Sequence, residues 1–196
     1  MNINSIVDRA RELLLRPKDE WVKIASESDD PRPIVGFVAV LGILPALALF
    51  IGYGIIGLPT MYGFFKLSML SAFFVSLVFY FLAGVGIALT ASMIGFFCHY
   101  FSIEGKWQTF LKIAVFSSVA PLLANVFYIL PILKFLRIVG FYGCVTLFVG
   151  LPVMLKIPKE KEMQFVVTIL VGAIIISLIF LGLTDQFLGP IYSDIL

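Results

Sequence analysis

The chain has 196 residues, 61% of them hydrophobic and only 13% charged, with a formal net charge of +2. Soluble domains carry about half apolar and about a quarter charged residues, so this composition excludes a water-soluble globule and places the chain in the membrane class. So small a charge excess gives no basic surface for nucleic acid. Two cysteines, Cys98 and Cys144, both in or beside apolar stretches, give no disulfide framework.

Residues 1–33 are the one long stretch without membrane character, and their mixed charge does not read as a signal peptide. Ile3, Ile6, Val7, Ala10, Leu13 and Leu14 recur at helical spacing, with Asp8, Arg9, Arg11 and Glu12 between them. Pro17 opens a second short helix carrying Asp19 and Glu20 in its first turn, where the positive end of the helix dipole favours them. Trp21 and Ile24 share one face of it. Trp21 is expected as an interfacial anchor, because an indole has an apolar body and one polar N–H. The segment reads either as two helices on the membrane surface or as two helices packed on the end of a bundle.

Five apolar runs follow, at about 34–57, 67–98, 110–130, 138–157 and 164–183. A hydrocarbon core of ~30 Å needs about 20 helical residues, and all five runs suffice. The second is too long for one perpendicular crossing and must tilt, bend near Gly84-Val85-Gly86, or project beyond the bilayer around Cys98 and His99. The expected fold is therefore all-α: a 1–33 cytosolic amphipathic segment, a 34–183 five-helix membrane domain and a 184–196 non-cytosolic tail. Lys and Arg outside the spans divide eleven against three between alternate sides. The basic side is the cytosol by the positive-inside rule, which puts the N-terminus inside and the C-terminus outside.

Between Asp30 and Glu160 the only acidic residue is Glu104, which falls in a loop. Buried carboxylates are costly and mark ion-coupled transport, and no span contains one. An aspartyl intramembrane protease lacks its paired Asp residues, and a rhomboid-type serine protease lacks its Gly-x-Ser-Gly run and buried His. His99 and Cys98 are adjacent on a helix, about 100° apart, so the pair cannot chelate a metal by itself. No catalytic group, cofactor or metal site is expected.

The spans do carry small residues and prolines. Gly84, Ala88, Ser92 and Gly95 share an arc of the second span. They are expected to pack against another helix, since small residues let backbones approach in lipid. Val78, Val85 and Ile94 are expected to be less confined. On the third span Ala114, Ser118, Pro121 and Asn125 share an arc. Pro121 frees the carbonyl of Ser117, and Asn125 is expected as a donor to such a freed carbonyl or to a neighbouring one. On the fourth, Gly143, Thr146 and Gly150 line up ahead of Pro152. These residues read first as packing and kink positions, and second as a gate on unwound backbone.

Residues Phe141 to Lys161, FYGCVTLFVGLPVMLKIPKEK, resemble the closing motif of the Yip family of Rab-interacting membrane-trafficking proteins and their bacterial relatives. Pro17 with Trp21 and Ile24 resembles the family's Pro-x-x-x-Trp-x-x-Ile run before the first span. Phe110 to Pro131 resembles its third span. The likeness extends over roughly Glu12 to Leu183. It implies a five-helix bundle acting in membrane traffic or organisation without catalysis. Eukaryotic members carry a long polar N-terminal extension and an Asp-Leu-Tyr-Gly-Pro signature; this chain has Asp29-Asp30-Pro31-Arg32-Pro33 instead. Rab binding is therefore not carried over, and the chain resembles the bacterial, short-N-terminus branch, expected in the cytoplasmic (inner) membrane. Two functions follow as expectations. One is a scaffold or adaptor whose partners are membrane lipid, other membrane proteins or a second copy of itself. The other is a small transporter or channel for a neutral or anionic solute.

Overall fold

The structure, a computed structural model, describes residues 3–60 and 63–193. Helices α1 (Ile3–Leu15) and α2 (Pro17–Ser26) fold back on each other about Arg16, with Pro17 at the first helical position of α2. The guanidinium of Arg9 on α1 closes this hairpin. Its Nη1 donates to Glu27 Oε2 at 2.9 Å, its Nη2 donates to Glu27 Oε1, and Nε lies 3.8 Å from Glu20.

Five helical stretches long and apolar enough to span a membrane follow: Pro31–Ile56, Met69–Tyr100, Trp107–Ile129, Phe135–Leu155 and Lys159–Leu183. The first is α3 (Pro31–Phe50), whose N-cap Asp30 accepts from Arg32 N at 3.0 Å, ending in a π-helical segment, Ile51–Ile56. A short antiparallel pair, β1 (Leu58–Thr60) and β2 (Gly63–Phe65), then leads to α4 (Met69–Tyr100), capped by Ser68. Gly57 makes the turn at φ 89°, a left-handed conformation that glycine alone enters without strain.

The third span is broken. Helix α5 (Trp107–Ser117) stops at Ser118, α6 (Val119–Ala124) takes over, and the chain tightens into a 3-10 segment, Asn125–Ile129. Pro121 explains the break, since it has no N–H to continue the ladder. A second 3-10 segment, Pro131–Phe141, runs back into α7 (Tyr142–Leu155), which ends on Lys156 in the left-handed conformation. Helix α8 (Lys159–Ser193) extends well past its membrane-length part, so the expected tail from residue 184 is helical as far as Ser193.

The third span is the axis of the bundle: 61% of its apolar stretch is buried, against 17% of that of the second and 11% of that of the fifth. The main core joins α1 and α2 to the basic-end halves of the spans, with Leu13, Trp21, Ile24, Ile113, Leu151 and Phe165 fully enclosed. A smaller core near the opposite end holds Leu49, Tyr53, Phe79 and Tyr128. There the backbones nearly touch, since a Cβ at Gly52 would overlap the Tyr128 carbonyl.

Of the two readings of the N-terminal segment, packing on the bundle is the one observed. Ile6, Ala10 and Leu13 are buried, while Ile3 and Val7 are exposed. The hairpin lies along α7: Trp21 sits at Thr146 and Gly150, and at the start of the helix Tyr142 Oη donates to the Leu14 carbonyl at 2.9 Å. It is therefore continuous with the membrane domain and not set apart from it at residue 33.

Candidate functional site

Two places bring together the residues singled out by their chemistry: the seat of the N-terminal hairpin, and a cavity between the spans beyond it.

At the seat, Trp21 is 0% exposed. Its indole Nε1 donates to the Thr146 carbonyl at 2.9 Å, and its ring meets Phe116 edge-on, with centroids 6.3 Å apart. The indole occupies the space left by Gly150, where any Cβ would overlap it. The expectation of a headgroup anchor is thus corrected. The same apolar ring and single N–H that suit an interface also suit a buried slot with one carbonyl in it. The Arg9 guanidinium lies 5.4 Å above the Phe116 ring, which ties the hairpin clasp to the third span.

Lys112 holds the far end of the hairpin. The count of basic residues by sequence places it outside the spans, in the loop at 99–112; in the fold its side chain is 3% exposed. Its Nζ donates to the Glu27 carbonyl at 2.9 Å and to Asp29 Oδ1 at 3.1 Å. The bond from Lys112, with further attraction from Lys106, holds the Asp29 carboxyl below its ordinary value of 3.8. Apolar residues on both sides of Lys112 were the signal that it sits inside the span, at a place where a charge needs a partner.

The cavity has a volume of about 440 Å³ and lies between α4, the broken third span, the second 3-10 segment with α7, and α8. Pro121 and Asn125, expected as kink and donor, both line it. Asn125 Nδ2 donates to the carbonyl of Pro121 itself at 2.9 Å, a neighbouring carbonyl and not the one that Pro121 frees. Its Oδ1 accepts from Arg137 Nε at 2.8 Å, and the Arg137 guanidinium lies 4.3 Å from the Tyr128 ring centroid. Arg137 fell between the expected third and fourth spans. The fourth span begins two residues before it, so the cation is part of the wall. The apolar neighbours Phe135, Leu136, Ile138 and Val139 were the missed signal, since an ionisable residue among apolar ones is a functional candidate.

Ser118 lines the same cavity with its hydroxyl turned to the Val115 carbonyl at 2.7 Å. Gly143 is where the third and fourth spans meet most closely: a Cβ there would lie 2.8 Å from Pro121 Cδ and 2.9 Å from the Ser117 carbonyl. Gly150 and Pro152 do not line the cavity.

The small-residue arc of the second span is corrected. Gly84, Ala88 and Ser92 are exposed, and nothing lies within 4 Å of a Cβ built at Gly84. Only Gly95 packs as expected, its Cβ position 3.0 Å from the Phe110 ring. Ile94, expected to be less confined, is fully buried. The buried face is instead that of Ile87, Ala91, Ile94 and Cys98. Among the described residues no group of three His, Cys, Asp or Glu side chains could hold a metal.

A model of the Yip1 domain matches residues 11–181. No curated protein and no solved structure matches the chain.

Proposed function

The chain belongs to the Yip1 domain family, and on that premise we propose that it is a non-enzymatic scaffold or adaptor of the membrane. The observation that carries this reading is the docked hairpin. Trp21, Arg9 and Lys112 clamp α1 and α2 to the spans, while Arg11, Arg16, Lys18, Asp19 and the apolar Ile3, Val7, Leu15 and Val22 stay exposed. A mixed charged and apolar face held rigidly beside the bundle suits recognition, because little conformational entropy remains to be lost on binding. The crowding of basic residues at the hairpin's end of the bundle, which persists with Lys112 and Arg137 inside the spans, supports a cytosolic hairpin, a C-terminus outside, and residence in a bacterial cytoplasmic membrane. Its partners are membrane lipid and other membrane proteins or a second copy.

The test is quantitative recovery of partners from native membranes, with wild type beside Trp21→Ala. A membrane protein recovered in near-equal amount with wild type, and lost when the hairpin is undocked in a protein that remains inserted, supports an adaptor. Solute flux through the purified protein in vesicles, with no such partner, overturns it. A C-terminal alkaline phosphatase fusion should be active in a bacterial host; an inactive fusion reverses the orientation.

A second reading, a path for a neutral or anionic solute, is favoured by the cavity and by Arg137 in its wall. Against it stands Trp21, which fills the gap at Gly150 through which a path to the basic end would run.

A further inference from the structure

The cavity joins a cation to an apolar slot, and the chemistry of its wall is one-sided. Among the described residues no carboxylate belongs to the lining. Among the described residues Arg137 makes one hydrogen bond, Nε to Asn125, which leaves both terminal NH2 groups of the guanidinium without a hydrogen-bond partner. Their fork matches two oxygens of a phosphate. Asn125 and the Tyr128 ring fix the plane of that fork, so it is held in place before any ligand arrives.

The rest of the wall suits an acyl chain. Thr90, Ser118 and Ser177 turn their hydroxyls to carbonyls of their own helical turns and offer nothing to the slot. Ser117 is the exception. It lines the cavity, its residue is 7% exposed, and its Oγ has no partner among the described residues. That oxygen is itself enclosed, so the slot beyond Arg137 and Asn125 presents an apolar wall. From Arg137 to Leu147 the slot follows five rises of 3-10 helix and five of α-helix, roughly 17 Å. One leaflet's share of a ~30 Å core is about 15 Å. Phe135 and Ile138 line the cavity and are 66% and 69% exposed, apolar side chains that suit a mouth on the bilayer.

We propose that this cavity is a binding site for one anionic phospholipid, with its phosphate on Arg137 and an acyl chain between α4, α7 and α8. The lipid belongs to the leaflet at the end of the bundle opposite the N-terminal hairpin. An acyl chain gains little by leaving equally apolar bilayer for the slot, so selectivity rests on the headgroup. A zwitterionic lipid brings an ammonium that finds no carboxylate in the lining; an anionic one does not. The site is independent of what the hairpin recruits.

The experiment is native mass spectrometry of the delipidated full chain in detergent, titrated in parallel with phosphatidylglycerol, phosphatidylcholine and inorganic phosphate. Wild type should retain one phosphatidylglycerol at activation energies that strip phosphatidylcholine, and should hold no phosphate. Arg137→Gln should weaken that binding at least about tenfold, as loss of a charge-assisted pair would. Ala83→Phe should block the slot with the cation intact and lose the lipid as well. Lys66→Gln, which removes an exposed charge at the same end, should bind as wild type does. Equal retention of the two lipids by wild type overturns the proposal without recourse to any variant. So does undiminished binding by a folded Arg137→Gln protein. Binding of inorganic phosphate as tight as that of the lipid assigns Arg137 to a soluble anion instead and also overturns it.

Discussion

The two ends of the fourth span use the same local device and arrive at opposite results. Near its basic end Gly150 removes a side chain and Trp21, delivered by a segment outside the span, fills the space. In its other half Gly140 and Gly143 admit the third span at Pro121 and Ser117, no large side chain arrives from outside, and beside that contact about 440 Å³ stays open. A small residue in a membrane helix is therefore a vacancy with no assigned use. Whether it becomes a joint or a cavity depends on what the rest of the chain brings to it.

That contrast can be broken at the joint. Trp21→Ala should have the largest effect, about 3–5 kcal/mol for deleting a buried indole. It should lower the melting temperature in detergent and make residues 1–30 far more sensitive to protease. Trp21→Phe should recover part of the loss but not the bond to Thr146. If neither variant changes the cleavage rate, the hairpin is not docked in solution.

Within the hairpin, Leu13→Ala should cost about 2–5 kcal/mol, whereas Val7→Ala, on the exposed side, should cost within about 0.5 kcal/mol. Equal effects on urea or thermal unfolding would mean that α1 turns a different face to the bundle.

Glycines separate the joint from the lipid face. Gly150→Ala forces a methyl into the indole and should destabilise by about 1–3 kcal/mol, as overpacking does. Gly84→Ala meets nothing and should be neutral or stabilising by up to about 1 kcal/mol through helix propensity. Matched melting curves of the two variants decide it, and a costly Gly84→Ala would restore a packing role to that arc.

The smallest effect concerns Asp29. Its carboxyl is held below 3.8 in the folded chain, so its pairing contributes stability above that pH and loses it as pH falls through the depressed value. With Asp29 45% exposed, the pair is worth about 0–1 kcal/mol. The gap in melting temperature between wild type and Asp29→Asn should be visible at pH 7 and should close below about pH 3.8. A gap that stays constant to pH 3 would assign it to something other than this ion pair.

Five spans, the helix start at Pro17, and the crowding of basic residues on one side were all legible in the sequence. These depend on properties each segment has alone: transfer of an apolar run into lipid, a backbone that must satisfy its own hydrogen bonds there, and residues that favour a helix start. The direction in which each helix faces was not. In a span apolar all round, lipid tails and protein interior look alike to a side chain, so periodicity cannot separate the face of Gly84 from that of Ile94. The tertiary structure decided it through shape. Trp21 had one ring and one N–H, compatible with headgroups or with a slot; Gly150 and the Thr146 carbonyl, 125 residues away in the chain, provided the slot. Arg137 became part of a cavity wall only because the break at Pro121 brought Asn125 and the Tyr128 ring alongside it.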